Sequence, residues 1–198
     1  YIIYLVMNLK TKLKNIIYIV LVITSTILLS LYLRNYISNK ANDNINANTT
    51  DTNNVQSLNL EEAYVTKVVD GDTIWVEIGN ENKKVRFIGL DCPEYTKEIE
   101  PYGKEATQYT YENLLNTTVY LQKDVTDTDK YDRLLRYVWT KKVDSITEEN
   151  IENYLFNYRL CYDGMAESKT YKPNVLLQEY LNSAQKISKE QNKGMWSN

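Results

Sequence analysis

Histidine is absent from the 198-residue chain, and cysteine, proline and glycine are scarce. The lack of histidine excludes a histidine general base, a Ser-His-Asp triad and a histidine-ligated zinc site. Any hydrolytic chemistry would therefore depend on carboxylates or metal-bound water for proton transfer. The two cysteines, Cys92 and Cys161, form neither a disulfide framework nor a C-x-x-C metal motif.

Basic side chains are also fewer than acidic ones in the larger, C-terminal part of the chain. Residues 1–59 carry 5 basic and 2 acidic side chains, which leaves 18 basic and 24 acidic side chains, a net charge of −6, for residues 60–198. A protein that binds nucleic acid through a broad electrostatic face is typically basic, so the composition disfavours that class. The acidic composition is still compatible with a local cationic cleft built by a few arginines.

An uncharged apolar run occupies residues 16–33, preceded by three lysines and followed by Arg34. As a helix it would be about 27 Å long, close to the hydrocarbon thickness of a bilayer. The flanking charges predict a signal peptide or an N-terminal membrane anchor over residues 1–34, with the rest of the chain exported. Since no Ala-x-Ala cleavage site follows the run, an uncleaved anchor is slightly favoured.

The remainder divides into a linker and a folded domain. Residues 35–60 are rich in Asn and Thr and lack hydrophobic periodicity, which predicts a flexible, disordered linker. The folded domain is predicted over residues 61–198, with strands at 63–69, 73–78, 84–90, 118–122 and 134–140. Three helices are predicted, from Pro101 to about Leu115, from a capping box at Ser145 and Glu148, and from Pro173. Several α+β folds would satisfy this order of elements.

Three charged motifs lie at the ends of predicted strands. Residues 69–73 read V-D-G-D-T, residues 86–94 read R-F-I-G-L-D-C-P-E, and residues 129–133 read D-K-Y-D-R. Carboxylates bind hard cations, and guanidinium groups bind phosphate. A chain that carries both on short loops is typical of metal-assisted attack on a phosphodiester. The side chains concerned are Asp72, Asp91, Glu94, Arg86 and Arg133.

Each motif taken singly has a structural alternative. A D-G-D sequence is usually a turn former, Arg86 could form a salt bridge at a strand end, and Arg133 could be a solvated loop cation. The acidic loop over residues 124–132 lacks the Gly at position six and the Glu at position twelve of an EF-hand. We therefore interpret it as a solvated loop that positions Arg133.

The three motifs, with Y-K-P-N at 171–174 and M-W-S at 195–197, resemble the staphylococcal nuclease family over residues 62–196. The resemblance implies a five-stranded OB-fold β-barrel with three helices, preceded here by the hydrophobic helix and linker. It implies a Ca2+ site formed by Asp72, Asp91 and the main-chain carbonyl of Cys92. Such a site has few charged ligands and should be weak.

The resemblance also implies roles in catalysis and substrate binding. Glu94 would be the general base, and Arg86 and Arg133 would bind the phosphate and stabilise the charge of the transition state. The substrate-binding residues would be Lys130, Tyr131 and Tyr171. Lys169 departs from the pattern, because the best-known family member has a tyrosine there.

The function that follows is an exported, Ca2+-dependent nuclease that cleaves DNA and RNA to 3′-phosphate products. We expect single-stranded substrates to be favoured, an extracellular or cell-surface location, a monomer, and membrane association if the N-terminal helix is not cleaved. Two alternatives are a non-catalytic nucleic-acid-binding module of the same fold and an anchored structural protein. The presence of all five charged site residues and the acidic composition argue against the binding module, and the structural protein gives no reason for Glu94 or the two arginines.

Overall fold

The structure is a computed structural model that describes residues 58–96 and 99–197. The predicted hydrophobic helix at 16–33 lies outside the described residues, and so does the predicted linker up to residue 57. Among the residues that are described, no helix is long and apolar enough to span a bilayer.

Five strands close into a barrel, as predicted. They are β1 (Leu60–Asp70), β2 (Thr73–Ile78), β3 (Glu81–Phe87), β5 (Thr118–Gln122) and β6 (Leu134–Trp139). Their order around the barrel is β1-β2-β3-β6-β5, and antiparallel pairing of β1 with β5 closes it. All neighbours are antiparallel except β3 and β6, which run parallel. Two short strands, β4 (Leu90–Asp91) and β7 (Glu167–Ser168), form a separate two-stranded sheet.

Alternation of side chains along β3 explains why this strand contributes to both the core and a functional surface. Val85 and Phe87 are buried in the barrel, whereas Lys84 and Arg86 have the opposite orientation because successive side chains of a strand point to opposite faces. The hairpin between β2 and β3 turns at Gly79, whose φ of 60° suits a residue without a Cβ.

Within residues 58–96 and 99–197 the folded domain has four α-helices rather than the three predicted for it. They are α1 (Gly103–Leu114), α2 (Glu148–Tyr154), α3 (Phe156–Tyr162) and α4 (Gln178–Glu190), followed by a 3-10 turn at Gly194–Trp196. The predicted second helix is divided at Leu155, which adopts an extended conformation and forms a β-bridge with Trp139 at the end of β6. Leu155 is fully buried, so its packing against the barrel outweighs the continuous helical pattern.

Helix starts also differ from the predicted ones. Pro101 lies in a turn before α1, since the amide of Gly103 donates to the carbonyl of Glu100. The cap of α2 is Thr147 rather than Ser145, and its hydroxyl accepts a hydrogen bond from the amide of Asn150 at 3.1 Å. Pro173 lies in a turn in which the amide of Asn174 donates to the carbonyl of Tyr171, and α4 begins only at Gln178.

Candidate active site

A cleft of about 710 Å³ opens beside β3 and β4, between the loops at 126–133 and 171–174. Six of the nine predicted site residues line it, although they come from three separate parts of the sequence. They are Arg86, Asp91, Glu94, Tyr131, Arg133 and Tyr171. The fold therefore brings two of the three charged motifs and the Y-K-P-N segment to one surface, while Asp72 of the V-D-G-D-T motif is buried behind it.

Arg86 links the two predicted aspartate ligands. Its guanidinium donates to Asp72 through one terminal nitrogen and to Asp91 through the other. Asp72 comes from the tight turn between β1 and β2, and its second oxygen accepts the amide of Cys92 at 2.9 Å. The strand-end salt bridge that was an alternative for Arg86 is thus present, and its members Arg86 and Asp91 line the cleft.

Burial dominates the electrostatics of Asp72. Only 1% of this residue is exposed, and burial raises the pKa of its carboxyl to about 7, although the positive charge of Arg86 acts in the opposite direction. Asp91 is only half-buried. Burial raises the pKa of its carboxyl, but hydrogen bonds from Lys169 and Arg86 outweigh this effect and hold the pKa below its usual value.

The donor set of Asp72, Asp91 and the Cys92 carbonyl fits a hard divalent cation. Both carboxylates contact one guanidinium, so they converge on a single positive charge, and all three groups would offer oxygen ligands. Within the described residues no group of three or more acidic, Cys or His side chains is close enough to hold a metal by side chains alone. A site built here would need main-chain and water ligands, as a low-charge calcium site does.

Glu94 lies on an exposed loop, and hydrogen bonds to Glu100 hold both its main-chain amide and its main-chain carbonyl. The amide of Glu94 donates to the carboxylate of Glu100 at 2.9 Å, and the carbonyl of Glu94 accepts the amide of Glu100 at 2.9 Å. Gly103 at the start of α1 packs against the same carbonyl, because a Cβ at this position would lie 2.3 Å from that oxygen. Glu94 therefore lines the cleft from a main chain that is held in place.

Arg133 is positioned by Asp129, four residues earlier in the chain. One oxygen of Asp129 accepts the main-chain amides of Tyr131 and Arg133, and the other accepts Nε of Arg133 at 2.6 Å. Asp132 adopts a left-handed conformation with a φ of 61°, which helps to tighten the loop. The acidic loop thus performs the positioning role inferred for it.

Two of the predicted substrate-binding residues, Lys130 and Tyr131, lie near Arg133, and the third, Tyr171, lies on the opposite side of the cleft. Tyr131 is 68% exposed, and its ring lies 5.6 Å from the guanidinium carbon of Arg133. Lys130 is beside the cleft rather than in its lining, with Nζ 5.0 Å from the ring of Tyr131. Tyr171 is 44% exposed on the opposite loop. Two exposed aromatic rings are thus available to a flexible ligand.

Two cleft residues that sequence reasoning did not select are Lys84 and Lys172. Lys84 could have been found from the period of β3, since it shares a face with Arg86. With the two arginines they give the lining four cations against the carboxylates of Asp91, Glu94 and Asp129. The lining residues alone therefore have one positive charge in excess, which the Asp72 carboxylate bonded to Arg86 balances, in a domain that is acidic as a whole.

Comparison with known proteins agrees with this geometry. The family model described as "Staphylococcal nuclease homologue" matches residues 84–198. The thermonuclease of Staphylococcus hyicus is 39% identical over 142 residues, which cover 70% of this chain and 78% of that protein. The chain belongs to the staphylococcal nuclease family.

Other similar proteins extend the comparison. The thermonuclease of Staphylococcus intermedius is 35% identical over 139 residues, covering 68% of this chain and 76% of that protein. Endonuclease YncB of Bacillus subtilis is 27% identical over 143 residues, covering 70% of this chain and 63% of its own length. The family resemblance and the five-stranded barrel are thereby confirmed, and membership of the staphylococcal nuclease family supports a nuclease function.

Proposed function

We propose that this chain is an exported, Ca2+-dependent nuclease that hydrolyses DNA and RNA to 3′-phosphate products. The observation that carries the proposal is the convergence of Arg86, Glu94 and Arg133 on one cleft. A carboxylate that can accept a proton and two guanidinium groups that can bind phosphate oxygens are the groups that phosphodiester hydrolysis requires.

The two arginines would bind the phosphate in different ways. Arg133 is held through Nε, and within the described residues its terminal nitrogens make no side-chain hydrogen bond. They are therefore free to donate to a phosphate. Arg86 is neutralised by Asp72 and Asp91, so it would turn to the phosphate once those carboxylates serve as metal ligands.

Asp72, Asp91 and the main-chain carbonyl of Cys92 would hold the calcium ion. When bound, the ion would polarise the phosphate and lower the barrier to attack by water. Because the side-chain ligands supply only two charges, the affinity should be weak, on the order of 10⁻⁴–10⁻³ M, as in extracellular modules. This range suits a chain that acts outside the cell, either free or tethered to the membrane through the segment at 16–33.

Glu94 would take a proton from the water that attacks phosphorus. Its exposed carboxylate lies on the same cleft as both arginines, and its main chain is fixed by Glu100. Formation of the new P–O bond and departure of the 5′ oxygen, which takes up a proton, would leave a 3′-phosphate and a 5′-hydroxyl. The arginines would stabilise the negative charge that builds on the phosphate oxygens during this step.

Exposed aromatic rings favour a single-stranded substrate. Tyr131 and Tyr171 can stack on nucleobases, and stacking on a side chain needs bases that are not already stacked in a duplex. Lys130, beside Tyr131, would contact the neighbouring phosphate. We expect the protein to act as a monomer, since one chain supplies every group in this account.

The test uses the purified chain, single-stranded DNA and calcium. We expect cleavage that EDTA stops, products that carry 3′-phosphate ends, and a loss of about 100- to 10,000-fold in kcat for Glu94→Gln. Glu105→Gln is the matched control, because Glu105 is an exposed acid of α1 that does not line the cleft.

Full activity of Glu94→Gln would refute the proposed chemistry. Binding of DNA without cleavage by the wild-type chain would instead favour the alternative, a non-catalytic nucleic-acid-binding module.

A further inference from the structure

The side chain of Lys169 reaches Asp91, one of the two proposed calcium ligands. Strand β7 ends at Ser168 and pairs with β4, so that Leu90 faces Ser168 and Asp91 faces Glu167. The amide of Lys169 donates to the carbonyl of Gly89 at 2.9 Å, which fixes its main chain beside β4. From there its ammonium donates to Oδ2 of Asp91 at 2.8 Å.

Both oxygens of Asp91 are consequently occupied by protein cations. Oδ1 accepts the guanidinium of Arg86, and Oδ2 accepts the ammonium of Lys169. The second oxygen of Asp72, by contrast, accepts only the neutral amide of Cys92. Asp91 is therefore the ligand for which a metal ion must compete with a full positive charge at each oxygen.

The charge balance of the cluster follows from these contacts. Asp72, Asp91, Arg86 and Lys169 have two negative and two positive formal charges, and Asp70, whose carboxylate accepts the amide of Asp72 at 3.2 Å, adds one negative charge. Lys169 thus reduces the net charge of the cluster from −2 to −1, and a smaller negative charge attracts a divalent cation less strongly. Without the ammonium of Lys169, Oδ2 of Asp91 would also be open to a metal or its water shell.

We propose that Lys169 competes with calcium for Asp91 and thereby sets a low metal affinity for this site, an inference that rests on the proposed function. The side chain of Lys169 is half-exposed, so it can leave Asp91 for solvent without disturbing the core. Its Nζ is also 5.8 Å from the ring of Tyr171, a cleft residue. An ammonium displaced by calcium can thus stay at the edge of the cleft.

The experiment measures calcium binding by isothermal titration calorimetry on the full, metal-free chain without substrate. Lys169→Met removes the charge and keeps an unbranched side chain, and we expect it to lower the dissociation constant for Ca2+ by about tenfold at low ionic strength. Lys169→Arg keeps a charge and a donor, and we expect an affinity within about threefold of wild type.

Lys172→Met is the matched control for net charge. Lys172 also lines the cleft, and within the described residues it makes no salt bridge to Asp91. If local competition is responsible, Lys172→Met should change the calcium affinity much less than Lys169→Met does. Circular dichroism and thermal melts of each metal-free variant verify that it is folded.

An unchanged or weaker affinity of Lys169→Met for calcium would overturn the inference, because a lysine that merely orients Asp91 would weaken binding when removed. Equal effects of Lys169→Met and Lys172→Met would overturn it as well. Failure of the proposed function has a different signature, in which neither wild type nor Lys169→Met binds calcium and the wild-type chain does not cleave DNA. That result would reject the metal site and the competition together.

Discussion

The substitution Gly103→Ala, which adds one methyl group, tests how the Glu94 loop is positioned. Gly103 has no unusual φ, so alanine is compatible with its backbone conformation. The obstacle is steric, because the added Cβ would lie 2.3 Å from the main-chain oxygen of Glu94 and 2.9 Å from its carbonyl carbon. Both neighbours are backbone atoms that cannot rotate away.

The size of the effect follows from these distances. Real Cβ contacts are not shorter than 3.0 Å, so helix α1 and the Glu94 loop must separate by at least about 0.7 Å. A displacement of about 1 Å in a reacting group costs on the order of 100-fold in rate. We expect Gly103→Ala to lower kcat by about 10- to 100-fold and to destabilise the fold by about 1–3 kcal/mol.

The assay combines steady-state hydrolysis of single-stranded DNA at saturating calcium with urea unfolding. Gly79→Ala is the control, since a Cβ there meets nothing within 4 Å and the cost is only that of a left-handed backbone, about 1–2 kcal/mol. Gly79→Ala should therefore lose stability and keep its kcat. If Gly103→Ala retained a kcat within twofold of wild type, the packing of α1 would have no bearing on the position of Glu94.

Two further predictions concern the aspartates. Asp129→Ala should reduce kcat/KM on single-stranded DNA by about tenfold or more, because Arg133 loses the carboxylate that holds its Nε. The control is Asp144→Ala, since Asp144 is exposed. Equal kinetics of the two variants would contradict the role of Asp129. In EDTA, the free energy of unfolding should decrease as pH rises from about 4 to about 7, because burial raises the pKa of Asp72 and the folded state then binds that proton more tightly than the unfolded state. Thermal melts across this range should show a smaller decrease for Asp72→Asn, and identical pH profiles would refute the assignment.

The barrel could be predicted from the sequence because its strands have a local pattern. β2 and β5 match their predicted limits, and the other barrel strands differ by a few residues at their ends. The break at Leu155 could not be predicted, since apolar residues continue at helical spacing on both sides of it. Its cause is a bridge to Trp139, a contact between residues far apart in the sequence.

Six of the nine residues predicted for the site line the cleft, whereas the contacts between them were not predicted. The motifs identified Arg86, Glu94 and Arg133, and the fold brings them to one cleft. The pairing of Lys169 with Asp91 depends on β4 and β7, which have two residues each. Strands so short leave no periodic pattern in the sequence, so the ammonium beside Asp91 could be found only from the structure.

The two free thiols bear on where such a chain can operate. Cys92 and Cys161 are both buried, and burial raises the pKa of each thiol above its usual value. Oxidation and disulfide exchange proceed through the exposed thiolate, which neither residue presents. A chain with this packing can enter an oxidising medium with both sulfurs reduced, and without cross-linking to a second copy of itself.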